Sequence, residues 1–376
     1  MSLSYAGLHE VRGQDYLHCS NPIELADGRH VCATTPDVHS AAGMACIDCH
    51  LHTEIMGDGT SYAHEEQQTE VRCESCHGPA DGLESRWQQI QDGTSRRLLV
   101  RNKLEPGPSE RVRTGVRGTP LFNLQDKNGV WTLISKLGAG RWTVPQTPAD
   151  APHRLEGHER LQCATCHAAW TPTCPTCHTV YEPSGAQWDF GAKGVAKGAW
   201  KETAERFLRA PPVLAERGDR VVTAAPGMIL DLEVDGTARH GRWFAAFDPH
   251  TTGKQARTCT SCHGPSQPLG LGTGTLTLEP RPRFQPEGPG PKNGPAQDGW
   301  QSLFGPPGRG TRPDTRGLGA DAQRRVLRVA PCLECHPSAE DQIYRHFEAN
   351  LERLFEGKAS ACKGRARPWM RLVTLR

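Results

Sequence analysis

Gln162-Cys163-Ala164-Thr165-Cys166-His167-Ala168-Ala169-Trp170-Thr171-Pro172-Thr173-Cys174-Pro175-Thr176-Cys177-His178 holds the pattern Cys-x-x-Cys-His twice, 11 residues apart. The pattern also stands at Cys46-Cys49-His50, Cys73-Cys76-His77, Cys259-Cys262-His263 and Cys332-Cys335-His336, making six copies in 376 residues. With 15 Cys and 17 His in the chain, chance supplies on the order of 0.03 copies. The spacing has a chemical reason. Two thiols three residues apart can each form a thioether to one vinyl-derived carbon of a haem, and the adjacent His becomes the proximal iron ligand. Zinc sites also use Cys-x-x-Cys pairs, but zinc chemistry does not demand a His after every second Cys. A thioredoxin-like pair occurs once, near a βαβ pattern, and a disulfide framework would not repeat this spacing. The motifs therefore predict six covalently bound haem c groups, with His50, His77, His167, His178, His263 and His336 as proximal ligands.

Composition agrees with a chain built around cofactors. Apolar residues make up 36% and aromatics 6%, while Gly (40) and Pro (30) are frequent. No run approaches the roughly 20 apolar residues of a spanning helix, and no heptad is sustained. A chain of this length ordinarily holds two or three domains, yet its apolar content is lean for cores of that size. Six porphyrins would supply the missing apolar volume. The fold class expected is α+β with much irregular structure, organised by haem, with short helices at the motifs and β-rich inserts.

The motif spacing divides the chain. Residues 1–83 form an N-terminal dihaem region and 84–152 a β-rich insert. Residues 153–183 are a central dihaem region, and 184–264 a β-rich segment with the fifth haem. Residues 265–320 are a Pro/Gly-rich wrap or linker, and 321–376 carry the last haem, a helix and a basic tail. In the first insert, Leu121-Phe122-Asn123-Leu124 and Val130-Trp131-Thr132-Leu133-Ile134 flank Asp126-Lys127-Asn128-Gly129, a hairpin signal. In the second, Arg220–Thr223 and Met228–Val234 lead to an Asp235-Gly236 turn, and Arg242–Phe247 returns. Ala63 to Cys76 reads as a helix running into the second motif. Ser338-Ala339-Glu340-Asp341 resembles a capping box, with Ile343, Phe347, Leu351, Leu354 and Phe355 on one face of a following helix that Gly357 can end.

Six proximal His leave eleven others. His64 and His250 each lie nine residues before a motif, His39 lies seven before Cys46, and His158 five before Cys163; His346 follows His336 by ten. These five are the distal candidates, His being the commonest ligand for such iron. The sixth is open among His52, His153, His18 and His240, with His52 as the working choice. Met44, Met56 and Met228 are thioether alternatives. The motifs do not say which distal His serves which haem. The close third and fourth motifs imply neighbouring haems, with Trp170 packed against one of them.

Three Cys stand outside the motifs. Cys19 and Cys32, either side of an Ala26-Asp27-Gly28 turn signal, read as a disulfide, with free thiols the alternative. Cys362, in the basic tail, is an unpaired thiol or an intermolecular link. Residues 1–30 show no basic start followed by an apolar run. Covalent haem attachment calls for the periplasm or cell exterior, so a mature chain separated from its leader is expected, with a gene fragment the alternative. The formal charge is +2, but each haem adds two propionates and an iron in a dianionic ring. Six would bring the net charge to about −4 oxidised and about −10 reduced, which disfavours a nucleic-acid role.

The motifs identify the multihaem c-type cytochromes as a class. Ala42-Gly43-Met44-Ala45-Cys46-Ile47-Asp48-Cys49-His50, Gln162–His167 with Trp170, and Asp248-Pro249-His250-Thr251-Thr252-Gly253 are similar to stretches of secreted multihaem cytochromes of anaerobic, metal- or sulfur-respiring bacteria. The resemblance implies electron transfer in anaerobic respiration, including extracellular electron transfer, and does not carry over a substrate. The leading expectation is single-electron transfer along six mostly bis-His haems, with no catalytic residue. Its partners would be other cytochromes or a quinol-oxidising complex. One alternative is a reductase of a nitrogen or sulfur oxyanion with one open haem. Against it, the chain lacks a Cys-x-x-Cys-Lys motif, which would resemble the ammonia-forming nitrite reductases. The other is a subunit of a haem filament, homo-oligomer or conduit.

Overall fold

A computed structural model describes residues 3–11, 19, 21–78, 84–101, 111–149, 151–173, 177–204, 208–277, 282–287, 300–356 and 358. The chain is a mixed α+β protein of short helices and many strands. It divides into two compact units, His39–His153 and Ser2–Val38 with Arg154–Arg376. His18, Cys174, Gly357, Cys362 and the tail beyond Lys358 lie outside the described residues.

The His39–His153 unit is built on an antiparallel sheet in the order Leu124–Lys127, Val130–Ile134, Arg141–Thr143. The expected hairpin turn is present. Lys127 pairs with Val130, and Asn128 (φ 55°) and Gly129 (φ 80°) take the left-handed conformations such a two-residue turn needs. Its first strand starts later than the apolar run suggests, because Leu121 and Phe122 turn inward instead of pairing. Leu121 joins Leu51, Leu124, Leu133 and Val144 in one core, and Phe122 joins Ile90, Leu99 and Val112 in another.

The expected helix from Ala63 to Cys76 is broken. Glu65–Gln68 and Cys73–His77 are helical, with an extended stretch between. The reason is a competing acceptor: the Glu54 carboxylate takes the backbone N–H of both Glu70 and Val71 (2.6 Å for Val71), amides that a helix would bond internally. Glu70 itself is buried. Its charge is met by the hydroxyls of Thr53 (3.0 Å) and Thr119 (2.8 Å) and by Arg117, 3.3 Å away.

In the second unit, the Asp235-Gly236 turn joins Arg220–Val234 to Thr237–Ala246. These strands belong to a seven-stranded sheet in the order Gly194–Ala204, Cys177–Asp189, Arg220–Val234, Val213–Arg217, Thr315–Gly317, Arg309–Gly310, Thr237–Ala246. Because Arg220–Val234 also pairs with Thr237–Ala246, five of the strands close on themselves. Val213, Ala215, Val222, Ala224 and Phe244 fill the closed part, and Phe244 is fully buried. Gly308 lies against its ring, where a Cβ would clash. The Pro/Gly-rich stretch is thus partly built into the sheet. It supplies two of the closing strands and buries Leu269, Leu271 and Leu318 beside Leu214 and Leu327. Cys19 and Cys32 form the expected disulfide.

The C-terminal apolar stripe is also interrupted. Gln342–Tyr344 is a 3-10 turn and Phe347–Phe355 an α-helix, with His346 in a non-helical conformation between them (φ −139°, ψ 56°). The Ser338 hydroxyl caps only Glu340 N–H, 3.2 Å away, so it closes a local turn.

Two predictions follow from the packing and capping. Phe244→Ala should destabilise the second unit by about 3–5 kcal/mol, read as a lower guanidinium midpoint; an unchanged midpoint would mean that the closed sheet does not depend on this ring. Asp92 accepts the Ser95 N–H at 2.6 Å and caps helix Gly93–Arg101. Hydrogen bonds from Ser95, side chain first and then backbone, hold its carboxyl below the usual 3.8. The cap's charge-dependent stabilisation is therefore full above 3.8 and lost as pH falls through the lower folded value. Asp92→Ala should cost about 1 kcal/mol at pH 7. Asp92→Asn should keep the cap and flatten that part of the acid dependence in urea titrations between pH 5 and 2.

Candidate functional site

Residues i, i+3 and i+4 lie on one face of a helix. One helical turn therefore aims both sulfurs and the imidazole of Cys-x-x-Cys-His the same way. The chain makes that turn at Cys46–Cys49, Cys73–His77, Cys163–His167 and Cys259–His263. At the last motif, Ala330–Leu333 is helical, and Cys335 and His336 both donate to the Cys332 carbonyl (3.2 and 2.8 Å). The fourth motif differs: Cys177 and His178 open the long strand Cys177–Asp189.

Four motif rings, those of His50, His77, His263 and His336, meet a polar partner through Nδ1. His77 Nδ1 meets the Pro145 carbonyl and His263 Nδ1 the Val326 carbonyl, each at 2.7 Å. A carbonyl only accepts, so the proton sits on Nδ1 and Nε2 keeps its lone pair. Burial lowers the pKa of both rings against the opposing effect of those carbonyls. Both are therefore neutral near pH 7, the state a metal ligand requires. His50 Nδ1 meets the Glu54 carboxylate at 2.6 Å, and His336 Nδ1 stands 3.6 Å from Asp341. Burial pushes the Glu54 carboxyl up, but His50 and the Val71 and Glu70 amides outweigh it, and the carboxyl lies below its usual value. Glu54 is four residues past His50, the one local signal that could have revealed it. Pro145 and Val326 are remote in sequence and left no such mark.

Two distal candidates face motif rings, and each skips its nearest motif. His39, just before the first motif, faces His77 of the second with ring centroids 6.0 Å apart and planes at 58°. His158, just before the third, faces His263 of the fifth, also at 6.0 Å, with planes at 47°. Burial first, and then the His263 ring, pushes the His158 imidazole down to about 4. Even aimed straight at each other, ring nitrogens at this spacing stay beyond hydrogen-bond reach, roughly 3.5 Å. Two imidazoles sharing one metal at about 2 Å each have centres on the order of 6 Å apart. The paired rings fit a metal that brings its own equatorial ligands, as a haem does. Among the described residues, no group of three or more His, Cys, Asp or Glu side chains could hold a bare metal ion.

The other candidates are more scattered. His64 precedes the helix Glu65–Gln68, and the exposed His346 precedes Phe347–Phe355; neither meets a motif ring among the described residues. His250 (φ 43°) is exposed, lies edge-on to Tyr5 at 6.3 Å, and has Nδ1 3.1 Å from the Asp248 carbonyl. His52 begins the helix His52–Met56, with a buried Nδ1 that has no hydrogen-bond partner among the described residues. His153 closes the His39–His153 unit within the 3-10 turn Ala151–Arg154, and His240 pairs with Asp231 across the central hairpin. His9 lies outside the candidate set. It is buried, paired in register with Cys32 and set edge-on to the buried Trp170 at 5.8 Å. Those contacts come from far along the chain, so motif spacing could not reveal them.

The motifs gather within each unit. In the first, Cys76 packs into the core beside Leu51 and Met44. Burial, and then the neighbouring Cys49, pushes its thiol up to about 12, so it is a neutral sulfur. Asp48 accepts the amides of Ala45 (2.8 Å) and Lys136 (2.7 Å), while Lys136 Nζ donates to the His50 carbonyl at 2.8 Å. In the second unit, Arg257 ties the third motif to the fifth. It donates to the carbonyls of Thr165 (3.4 Å), Ser261 (3.0 Å) and Pro212 (3.0 Å), and its amide donates to the Cys166 carbonyl at 2.7 Å. Cys259 and Cys332 pack against one cluster of Leu333, Tyr344, Phe347 and Leu351, joining the fifth motif to the sixth. The Tyr344 hydroxyl donates to the His336 carbonyl at 2.6 Å. Burial raises its pKa, so it remains a donor.

No protein-family profile, curated protein or solved structure matches the chain.

Arg257→Ala should cost about 2–3 kcal/mol, since it orphans carbonyls that a charged donor satisfies. Arg257→Lys should recover only part, because an ammonium lacks the planar fork. Chemical denaturation of both variants checks this. Equal stability of Arg257→Ala and the parent would remove the bridge between the motifs from the account.

Proposed function

We propose that this chain is a multihaem c-type cytochrome that carries single electrons along six covalently attached haem c groups. The observation that carries this reading is the matched geometry of His39 with His77 and His158 with His263, each pair at 6.0 Å. When bound, the haem supplies a one-electron iron couple. The chain supplies the rest. The Cys pairs tether, and the motif His rings, proton held on Nδ1, offer Nε2. His39 and His158, each 6.0 Å from a motif ring, would be the second His ligands. An iron held by two such His ligands would have no room for a substrate, which favours electron transfer over reduction of a bound oxyanion. Neutral, buried sulfur at Cys76 suits a thioether better than a metal thiolate. Exposed Ile47, Ile55 and Met56 near the first motif are apolar surface that a porphyrin would cover.

The packing of first against second motif, third against fifth, and fifth against sixth would keep neighbouring cofactors close enough for electrons to pass. Thioether attachment assigns the chain to the periplasm or cell exterior. Its partners in this reading are redox proteins, other cytochromes or a quinol-oxidising complex. No helix among the described residues is long and apolar enough to cross a membrane.

The test is spectroscopic. The ferric holoprotein should be low-spin, and the ferrous form should not bind carbon monoxide. His39→Gly and His158→Gly should each create one high-spin iron and one carbon monoxide equivalent, and added imidazole should reverse both. Carbon monoxide binding by the unaltered protein would favour a reductase with an open haem. Variants that stay low-spin would overturn the two pairings.

A further inference from the structure

The strand pair Cys177–Asp189 and Gly194–Ala204 leaves the seven-stranded sheet as a two-stranded arm. Cys177–Asp189 pairs with Arg220–Val234 only through Val180. From Tyr181 onward it pairs with Gly194–Ala204 alone, as far as Asp189 opposite Gly194. A bare two-stranded hairpin is marginal in water, and this one is braced. The Tyr181 ring covers Gly198, where a Cβ would clash, and lies 4.9 Å from the Trp200 ring. Gln187 Oε1 accepts the Trp200 N–H at 2.9 Å, and Lys201 pairs with Glu182 at 2.7 Å. At the tip, Asp189 Oδ1 accepts the amides of Gly191 (2.8 Å) and Ala192 (2.9 Å).

That held tip presents apolar side chains to water. Trp188 is 53% exposed, Phe190 85% and Val195 72%. Trp188 and Val195 are cross-strand partners and so share a face. Trp188 lies on the order of 35 Å along the strand from Cys177, at about 3.3 Å per residue, beyond reach of a group attached there. Lys193 and Lys197 flank these residues, and the only acid at the tip, Asp189, is bonded to backbone amides.

We infer that this tip docks peripherally on a lipid bilayer bearing anionic headgroups. Two magnitudes favour a bilayer over a protein. Fully covered, two aromatics at about 150–250 Å² each and one Val bury on the order of 500 Å², short of the roughly 800 Å² per partner of a stable protein interface. A bilayer interface accepts a narrow wedge without a complementary surface. Aromatic rings settle at headgroup depth, and flanking Lys is drawn to anionic lipid. The inference uses the arm alone and stands whether or not the haem reading does.

The test is co-sedimentation of the full holoprotein with vesicles of phosphatidylcholine and phosphatidylglycerol at 3:1, against phosphatidylcholine alone. Binding should be at least tenfold stronger to the anionic vesicles. Trp188→Ser/Phe190→Ser should weaken binding to both, while Lys193→Glu/Lys197→Glu should remove only the preference for anionic lipid. Far-UV circular dichroism of each variant should match the parent, since all four side chains are on the surface of the arm. Three results would overturn the inference: no sedimentation with either vesicle, equal sedimentation of Trp188→Ser/Phe190→Ser, or a lipid-free dimer by light scattering that this variant makes monomeric. The last would assign the tip to a second copy of the chain.

Discussion

In each unit two half-buried imidazoles stand 6.0 Å apart, centre to centre. At that spacing neither ring of a pair reaches the other to hydrogen-bond. Burial lowers the pKa of the His77, His158 and His263 rings, the direction that favours the neutral, ligating form. A shared metal with its own equatorial ligands fits that spacing, and a haem is the group that the adjacent Cys pairs could tether. Much of the local structure serves this arrangement: carbonyls of Pro145 and Val326 that fix the ring proton, and helical turns that aim sulfur and nitrogen the same way.

The two pairs share one wiring. A His shortly before one motif turns to the ring of a later motif, past one motif in the first pair and past two in the second. Haem attachment at the later motif would then close a loop of chain, across 38 residues from His39 to His77 and 105 from His158 to His263. Closing long loops constrains the unfolded chain, much as a disulfide does. That offers a physical route to order in a sequence with 36% apolar residues. Where the second unit does have a conventional core, it is the closed sheet around Phe244 and the Leu269–Leu271 cluster.

What could be read directly from the residues was local. Cys-x-x-Cys-His is a single-turn pattern, and five of its six copies form that turn. Asn128-Gly129 and Asp235-Gly236 are turn chemistry, and both turns are where their residues call for them. What could not be read was long-range. Nothing near His39 names His77, and nothing near His158 names His263. The broken helix before Cys73 depends on Glu54 capturing two amides from 16 and 17 residues away. The strands Arg309–Gly310 and Thr315–Gly317 are too short to carry alternation, and their glycines read as linker until Phe244 is packed against Gly308. The arm that ends at Phe190 is rich in Ala, Gly and Lys, weak strand formers, so its length came from pairing and not from propensity.

The claim on which the rest depends is covalent haem at every motif. Intact-mass spectrometry of the protein produced with haem-attachment machinery, combined with thiol alkylation under denaturing conditions, tests it most directly. The account predicts six haem masses added to the polypeptide and no alkylation of the twelve motif cysteines. A protein without added haem mass, carrying alkylatable thiols at those positions or releasing zinc on denaturation, would contradict it.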